Sequence, residues 1–201
     1  ALGLADAPAP ILRNLVSCIG AATCKLGLCR SRDLAHAIRA ALEQSGLDLD
    51  EFGERRLYVS GCLDCCGRHP IADVGLCGAV RNIEGRPAPH YLLQLGGRVG
   101  EGETRLAQGK QAAPAKNVPA LVVALLARFR QSPQWPDFAR FLDAKGQQLA
   151  ESLAAEHKRA PTSCENEAFF IDWGATEPFV LAEREGRKCG ASANRADEAP
   201  C

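Results

Sequence analysis

The sequence predicts an α/β domain, of the α+β kind, in which helices pack on a mixed sheet and a small C-terminal extension follows. Segments with apolar residues at helical spacing alternate with segments rich in strand formers through the middle of the chain. The character of the sequence changes after residue 158, where the last amphipathic segment ends. We therefore expect a main domain at residues 1–158 and an extension at residues 159–201.

Three helices are expected in the main domain. The segment 31–45 has apolar residues at helical spacing, with Ser31 placed as the N-cap and Gly46 as the residue that ends the helix. Pro119 suits the first turn of a second, largely apolar helix. The segment 137–157 is amphipathic, which predicts a third helix with one face on the core.

Strands are expected between and after these helices. The segments 57–59 and 90–95 are rich in strand formers and end next to glycines. By contrast, the segment 109–116 is predicted to be an exposed loop. In the extension, segments 168–173 and 178–182 are predicted to form a small accessory β unit, and the polar residues after them a disordered tail.

Charge and hydropathy exclude several classes of function. The chain of 201 residues carries 24 Lys and Arg and 24 Asp and Glu, so its formal net charge is zero and favours neither nucleic acid nor an anionic membrane. The longest nearly apolar run, 118–127, is far short of the roughly 20 residues that a membrane-spanning helix needs. Residues 1–10 lack the pattern of a secretory signal, so a cytoplasmic location is predicted.

Cysteine is frequent, with 10 residues, and most of them lie in two tight groups. The clustered cysteines are Cys18, Cys24, Cys29, Cys62, Cys65, Cys66 and Cys77. Two spacings stand out, C-x5-C from Cys18 to Cys24 and C-x3-C from Cys62 to Cys66. Clustered cysteines in a chain without an export signal more often bind metal or carry out redox chemistry than form disulfides.

Spacing alone leaves two kinds of metal site open. Four thiolates from two loops are the usual ligands of a [4Fe–4S] cluster. However, Cys62 and Cys65 form C-x2-C, and Cys24 and Cys29 form C-x4-C, which are spacings found at zinc sites. Cys77 is interpreted as a small buried hydrophobic residue.

A set of motifs resembles the C-terminal half of the sirohaem-dependent nitrite and sulfite reductases. In order, the motifs are C-x5-C at 18–24 followed by KLG at 25–27, SGC-x3-CG at 60–67, IADVGL at 71–76 and LQLGG at 93–97. The similarity extends to about Gly146 and so covers most of the main domain. Either cysteine pair alone would be a weak indication, whereas the motifs taken together are specific.

The resemblance implies a cofactor set and its ligands. The implied ligands of a [4Fe–4S] cluster are Cys18, Cys24, Cys62 and Cys66. Cys66 would also be the axial ligand of the sirohaem iron, and a shared sulfur would couple the two groups electronically. Cys29 and Cys65 are then not ligands.

The resemblance also implies a reaction and partners. It implies the multi-electron reduction of sulfite to sulfide, or of nitrite to ammonia, with electrons from ferredoxin or a flavoprotein. The Arg and Lys residues that bind the anion would come from an N-terminal half that is missing here, so no catalytic residue is assigned in this chain. Two alternatives stay open: a non-catalytic Cys-rich module for zinc binding or electron transfer, and a fragment that is inactive without its other half.

The second cysteine motif departs from the family at one place. Residues 63–65 are Leu-Asp-Cys, where family members usually have Pro-Asn and a small residue. Asp64 adds a negative charge that is expected to lower the cluster potential, and Cys65 is a possible competing ligand. Arg68 and His69 follow and could reach a haem carboxylate or a proton path, although a solvated charge and a turn histidine are the preferred interpretation.

Overall fold

Five strands in one sheet and four α-helices make up the computed structural model, which describes residues 7–100 and 102–181. The strands are β1 (Leu15–Ser17), β2 (Leu57–Ser60), β3 (Val74–Ile83), β4 (Arg86–Leu95) and β5 (Gln108–Pro114). The helices are α1 (Pro10–Arg13), α2 (Ser31–Gln44), α3 (Val118–Arg130) and α4 (Phe138–His157). None of these described helices is long and apolar enough to cross a bilayer.

The sheet has the order β1-β2-β3-β4-β5 and is mixed. The pairs β1–β2 and β2–β3 are parallel, and the pairs β3–β4 and β4–β5 are antiparallel. Parallel neighbours need a crossover connection, and α2 supplies it between β1 and β2. This confirms the predicted mixed α/β fold, and it places the carboxyl ends of β1 and β2 side by side.

The core joins the helices to the sheet through buried apolar side chains. Val59, Leu76 and Leu93 from three neighbouring strands belong to the same cluster as residues of α2, α3 and α4. Four phenylalanine rings close the cluster near α3 and α4, namely those of Phe52, Phe129, Phe138 and Phe141. The nearest two rings, of Phe129 and Phe138, lie 5.2 Å apart in an edge arrangement that aromatic quadrupoles favour.

The predicted helices are confirmed, with one correction at a helix start. Helices α2 and α4 occupy the expected segments, and Pro119 lies in the first turn of α3. Gly46 follows α2 with φ of 72°, a left-handed conformation that glycine adopts at low cost. The prediction of Ser31 as the N-cap is wrong, because Arg30 holds that position and the Ser31 hydroxyl instead donates to the carbonyl of Cys18.

The predicted loop at 109–116 is wrong, because most of it is strand β5. Ala112 and Ala113 lie opposite Leu92 and Tyr91 of β4. The sequence there is rich in Gly, Gln and Ala, so it lacks the β-branched residues that indicate a strand. The pairing with β4, rather than the local preference of its residues, therefore makes this segment a strand.

The predicted strands of the extension are also wrong in the part the structure describes. Glu167–Phe170 is a 3-10 helix, and residues 171–181 contain no strand. The Asn166 side chain accepts a hydrogen bond from the Ala168 amide at 3.1 Å, a local turn that competes with extended structure. Ala182 and the predicted disordered tail lie outside the described residues.

Candidate functional site

The two cysteine loops meet at the carboxyl edge of the parallel strands. Cys18 directly follows β1, and Cys62 comes two residues after the end of β2. The Cys18 amide donates to the carbonyl of Val59 at 3.0 Å, which continues the parallel ladder beyond β1. The Gly61 amide donates to the Cys18 sulfur at 3.2 Å. The pairing of β1 with β2 therefore brings together two motifs that are far apart in sequence.

The first cysteine loop, residues 18–29, folds back on itself and is fastened to Gly61. The Cys24 amide donates to the carbonyl of Gly20 at 2.9 Å. The amides of Leu28 and Cys29 both donate to the carbonyl of Gly61, at 3.0 and 2.9 Å. Both sides of the loop thus contact the first residue after β2.

Glycines allow this close approach of backbones. A Cβ atom on Gly61 would lie 2.5 Å from the carbonyl oxygen of Cys29. One on Gly67 would lie 2.1 Å from the carbonyl oxygen of Val59. Side chains larger than hydrogen do not fit at these positions without moving backbone, so the glycines of the second motif have a packing role.

The four predicted ligands lie on this one edge but differ in exposure. Cys62 is buried, Cys18 and Cys24 are half-buried, and Cys66 is exposed. Burial raises the pKa of the Cys62 thiol to about 11, and the nearby Asp64 carboxylate adds to this effect. Within residues 7–100 and 102–181, no three Cys, His, Asp or Glu side chains are close enough to hold a single metal ion.

Two further cysteines are part of the core. Cys77 is fully buried, which confirms its interpretation as a small hydrophobic residue. Cys29 is fully buried as well, and its thiol donates to the carbonyls of Ala79 and His90 at 3.3 and 3.6 Å. A thiol enclosed in this way is poorly placed to share a zinc ion with Cys24, so the zinc alternative is not favoured.

The adjacent thiols of Cys65 and Cys66 have different surroundings. Cys65 is half-buried, has φ of 59° and donates to the carbonyl of Leu63 at 3.0 Å. Burial is the main cause that raises the pKa of Cys65, and the negative charges of Asp64 and Cys66 raise it further. Cys66 is exposed, and its sulfur lies 3.8 Å from the carbonyl oxygen of Asp64. Of the two, Cys66 is the thiol that a group outside the loop can reach.

His69 is the first residue of a 3-10 helix (His69–Ile71) and not a solvated turn residue, and its buried ring fastens the second loop. Its Nδ1 is 2.8 Å from the hydroxyl oxygen of Ser60, which also accepts a hydrogen bond from the Gly67 amide at 3.1 Å. Burial lowers the pKa of His69 to about 4, so the ring is neutral at pH 7. Arg68 is exposed and lies over the Tyr58 ring at 5.1 Å, which agrees with a solvated loop charge.

Sequence reasoning missed the residues that hold the two loops. Ser60 and Ser31 are almost fully buried hydroxyls beside the cysteine motifs. The role of Ser60 could have been suspected from the sequence, because this serine ends an apolar strand and directly precedes Gly61. No local pattern indicates Asp172, whose carboxylate accepts a hydrogen bond from the Arg30 amide at 2.7 Å.

These features define a class of protein: a mixed α/β domain that presents two pairs of cysteine thiols where adjacent parallel strands end. A ferredoxin–nitrite reductase of Synechococcus elongatus is 37% identical over 93 residues, or 46% of this chain and 18% of the relative. Sulfite reductase (ferredoxin) 2 of Mycolicibacterium paratuberculosis is 33% identical over 104 residues, or 50% of this chain and 19% of the relative. The chain thus spans about a fifth of the length of these curated relatives.

A solved structure supports the same relationship at the level of the fold. The NirA protein of Mycobacterium tuberculosis superposes with a TM-score of 0.59 at 22% identity, over 69% of this chain and 26% of that chain. No protein-family model matches the sequence. Over part of their length, the nitrite and sulfite reductases are thus similar to this chain in sequence, and NirA is similar to it in fold.

Proposed function

We propose that this chain is the cluster-bearing part of a sirohaem-dependent oxidoreductase that reduces sulfite to sulfide or nitrite to ammonia. The observation that carries the proposal is the meeting of the two cysteine loops at the carboxyl ends of β1 and β2, in a chain similar to nitrite and sulfite reductases. Because the chain spans about a fifth of those relatives, the complete active site includes an N-terminal half outside it.

The donor set fits an iron–sulfur cluster. We assign Cys18, Cys24, Cys62 and Cys66 as its ligands. All four donors are thiols, the ligand type of such clusters, and they come from two loops that share one sheet edge. Gly67 leaves no side chain between the second loop and Val59 of the sheet, and Gly61 leaves none between the second loop and the first. When bound, the cluster and sirohaem supply the single-electron steps that the reduction of the anion needs.

Individual residues around the thiols set the ligand geometry and charge. The Gly61 amide donates to the Cys18 sulfur, and hydrogen bonds to sulfur raise the potential of a cluster. The Asp64 carboxylate lies 3.5 Å from the Cys62 sulfur, and negative charge lowers the potential. We assign Cys66 to the sirohaem iron as the resemblance implies, and its exposure is consistent with that role.

The partners follow from the same assignment. The substrate is sulfite or nitrite, and the electron donor is ferredoxin or a flavoprotein. The two reductases described above carry ferredoxin in their names. We assign residues 1–158 to the reductase domain, residues 159–201 to an extension, and the protein to the cytoplasm, which cell fractionation tests directly.

Metal and sulfide analysis of the full chain after anaerobic purification tests the proposal. We expect about four iron and four acid-labile sulfide per chain, together with the brown absorption of a cluster. About one zinc and no sulfide would overturn the assignment. A loaded chain that, combined with its N-terminal half and sirohaem, reduces neither anion would overturn the reaction while leaving the cluster in place.

Serine variants test the four ligands separately. Replacement of Cys18, Cys24, Cys62 or Cys66 by Ser is expected to lower iron and sulfide content strongly, because one iron of the cluster then lacks its thiolate. Cys65→Ser is expected to retain both. Cys164→Ser is the matched control, since that exposed thiol lies in the extension. Iron loss in Cys65→Ser with full loading of Cys66→Ser would instead make Cys65 the ligand.

A further inference from the structure

A segment of the extension, residues 167–174, lies as a strap across the main domain. Its first anchor is the exposed pair of Arg86 and Glu167, whose two hydrogen bonds measure 2.6 and 2.9 Å. The Arg86 guanidinium also lies over the Phe170 ring, 4.6 Å from its centre. Phe170 itself is 1% exposed, so this end of the strap is fixed by burial as well as by charge.

The second anchor of the strap is Trp173. Its indole N–H donates to the carbonyl of Ala115 at 2.7 Å. The Lys116 ammonium lies 4.4 Å from the centre of the indole ring, within cation–π range. The strap is thus held at both ends, and Asp172 lies between these anchors.

Asp172 reaches from the strap to the start of α2. Its carboxylate accepts from the Arg30 amide at 2.7 Å and from the Trp173 amide at 2.8 Å, and the residue is 3% exposed. The next residue but one, Gly174, packs so closely on Asp33 that a Cβ atom there would lie 2.8 Å from the carboxyl carbon. A carboxylate at this place satisfies a free amide at the helix N-terminus and complements the helix dipole.

Because Asp172 binds the helix N-terminus, the Ser31 hydroxyl can hydrogen-bond to the first cysteine loop. The residue that the sequence offers as the N-cap of α2 is Ser31, but its hydroxyl donates to the carbonyl of Cys18 at 3.0 Å and lies 3.1 Å from the Cys18 sulfur. Arg30 and Ser31 directly follow Cys29, the last residue of the first cysteine loop. The end of that loop is therefore held by Asp172, and its beginning by Ser31.

We infer that Asp172 is a positioning residue. From its place on the strap it caps α2 instead of Ser31, and it thereby holds the first cysteine loop in a shape that lets its thiols bind a metal group. The positioning itself does not depend on the nature of that group. Its consequence for cofactor retention rests on the function proposed above.

Hydrogen exchange on the full, metal-free chain tests the positioning. Asp172→Ala removes both acceptor oxygens, and amides of residues 18–30 are expected to exchange about tenfold faster, the usual effect of losing a hydrogen bond. Asp172→Asn keeps one acceptor oxygen and is expected to stay close to the wild type. This rescue is reasonable because burial raises the pKa of Asp172 and so already disfavours its charge.

Matched measurements separate a local role from general destabilisation. Glu167→Gln weakens the exposed anchor to Arg86 and is expected to leave exchange at 18–30 unchanged. Helix α4 is the internal reference, since the hydrogen bonds of Asp172 go to the amides of Arg30 and Trp173. Unchanged exchange at 18–30 in Asp172→Ala, or equal acceleration in α4, would overturn the inference. Should that variant not fold, Trp173→Phe, which loses the bond to Ala115, must accelerate 18–30 selectively for the inference to stand.

Loss of iron to a chelator gives a second readout on the loaded protein. We expect faster loss from Asp172→Ala than from Glu167→Gln, because the first loop would open more often. Equal rates would overturn the consequence for retention. A wild-type chain without iron and sulfide would overturn the proposed function alone, since the exchange experiment uses the metal-free chain.

Discussion

The amide of Gly61 donates a hydrogen bond to the sulfur of Cys18, so the residue after β2 contacts the residue after β1. The carbonyl of the same glycine accepts from the amides of Leu28 and Cys29. One peptide segment therefore holds both ends of the first cysteine loop. The geometry of the candidate site depends on how closely the backbone can approach at this position.

Gly61→Ala is expected to destabilise the chain by about 2 kcal/mol, because its Cβ would overlap a carbonyl oxygen of the first loop. Urea unfolding of the metal-free chain measures the effect. Gly100→Ala is the control, since the nearest neighbour of its Cβ would be 3.8 Å away, and it is expected to change stability by less than about 0.5 kcal/mol. Equal stability of the two variants would contradict the close packing at Gly61.

Ser60→Ala is expected to cost about 2 kcal/mol, because the buried Gly67 amide and the His69 ring would both lose their partner. Faster hydrogen exchange at residues 61–68 should accompany the loss. Ser152→Ala is the control, because the Ser152 hydroxyl donates to the exposed carboxylate of Glu156, and its loss is expected to change stability little. A Ser60→Ala chain as stable as the wild type would show that His69 does not need this bond.

Acid is expected to destabilise the chain through two buried histidines. Burial lowers the pKa of both His69 and His90 from 6.5 to about 4. Between these values the unfolded chain binds protons that the folded chain does not, so their stabilisation is complete above about pH 6.5 and is lost as the pH falls toward 4. Each histidine is expected to lower the free energy of unfolding by up to about 3 kcal/mol over this pH range.

Urea unfolding of the wild type and of His90→Gln, from about pH 7 down to about pH 4.5, measures this dependence. The variant is expected to lose roughly half of the slope that the two histidines contribute, because only His69 of the pair then titrates. Identical slopes would mean that His90 is already charged in the folded chain or exposed in it.

Phe138→Ala is expected to destabilise the chain by about 3–5 kcal/mol, the range for removing a buried aromatic ring. Phe138 is 1% exposed and contacts the rings of Phe52, Phe129 and Phe141. Val180→Ala is the control, because Val180 is 75% exposed and packs on little. A loss below about 1 kcal/mol for Phe138→Ala would show that the ring cluster rearranges to fill the space.

Prediction from the sequence succeeded where the governing pattern is local. The apolar spacing of segments 31–45 and 137–157 predicted α2 and α4, since a helix face is formed by residues three and four apart. It failed for β5 and for the extension. Strand β5 lacks strand-forming side chains and exists through its pairing with β4, whereas Asn166 turns the chain where a strand was expected.

The sequence by itself determined the helices, the mixed α/β class and the two cysteine spacings, because these depend on residues close together in the chain. Only the tertiary structure decided that β1 pairs with β2, that Ser31 holds Cys18 instead of capping its helix, and that Asp172 takes its place. These contacts join residues up to 142 positions apart. Hydrogen-bond partners so distant leave no periodic pattern, since they are chosen by which backbone groups the folded core brings together.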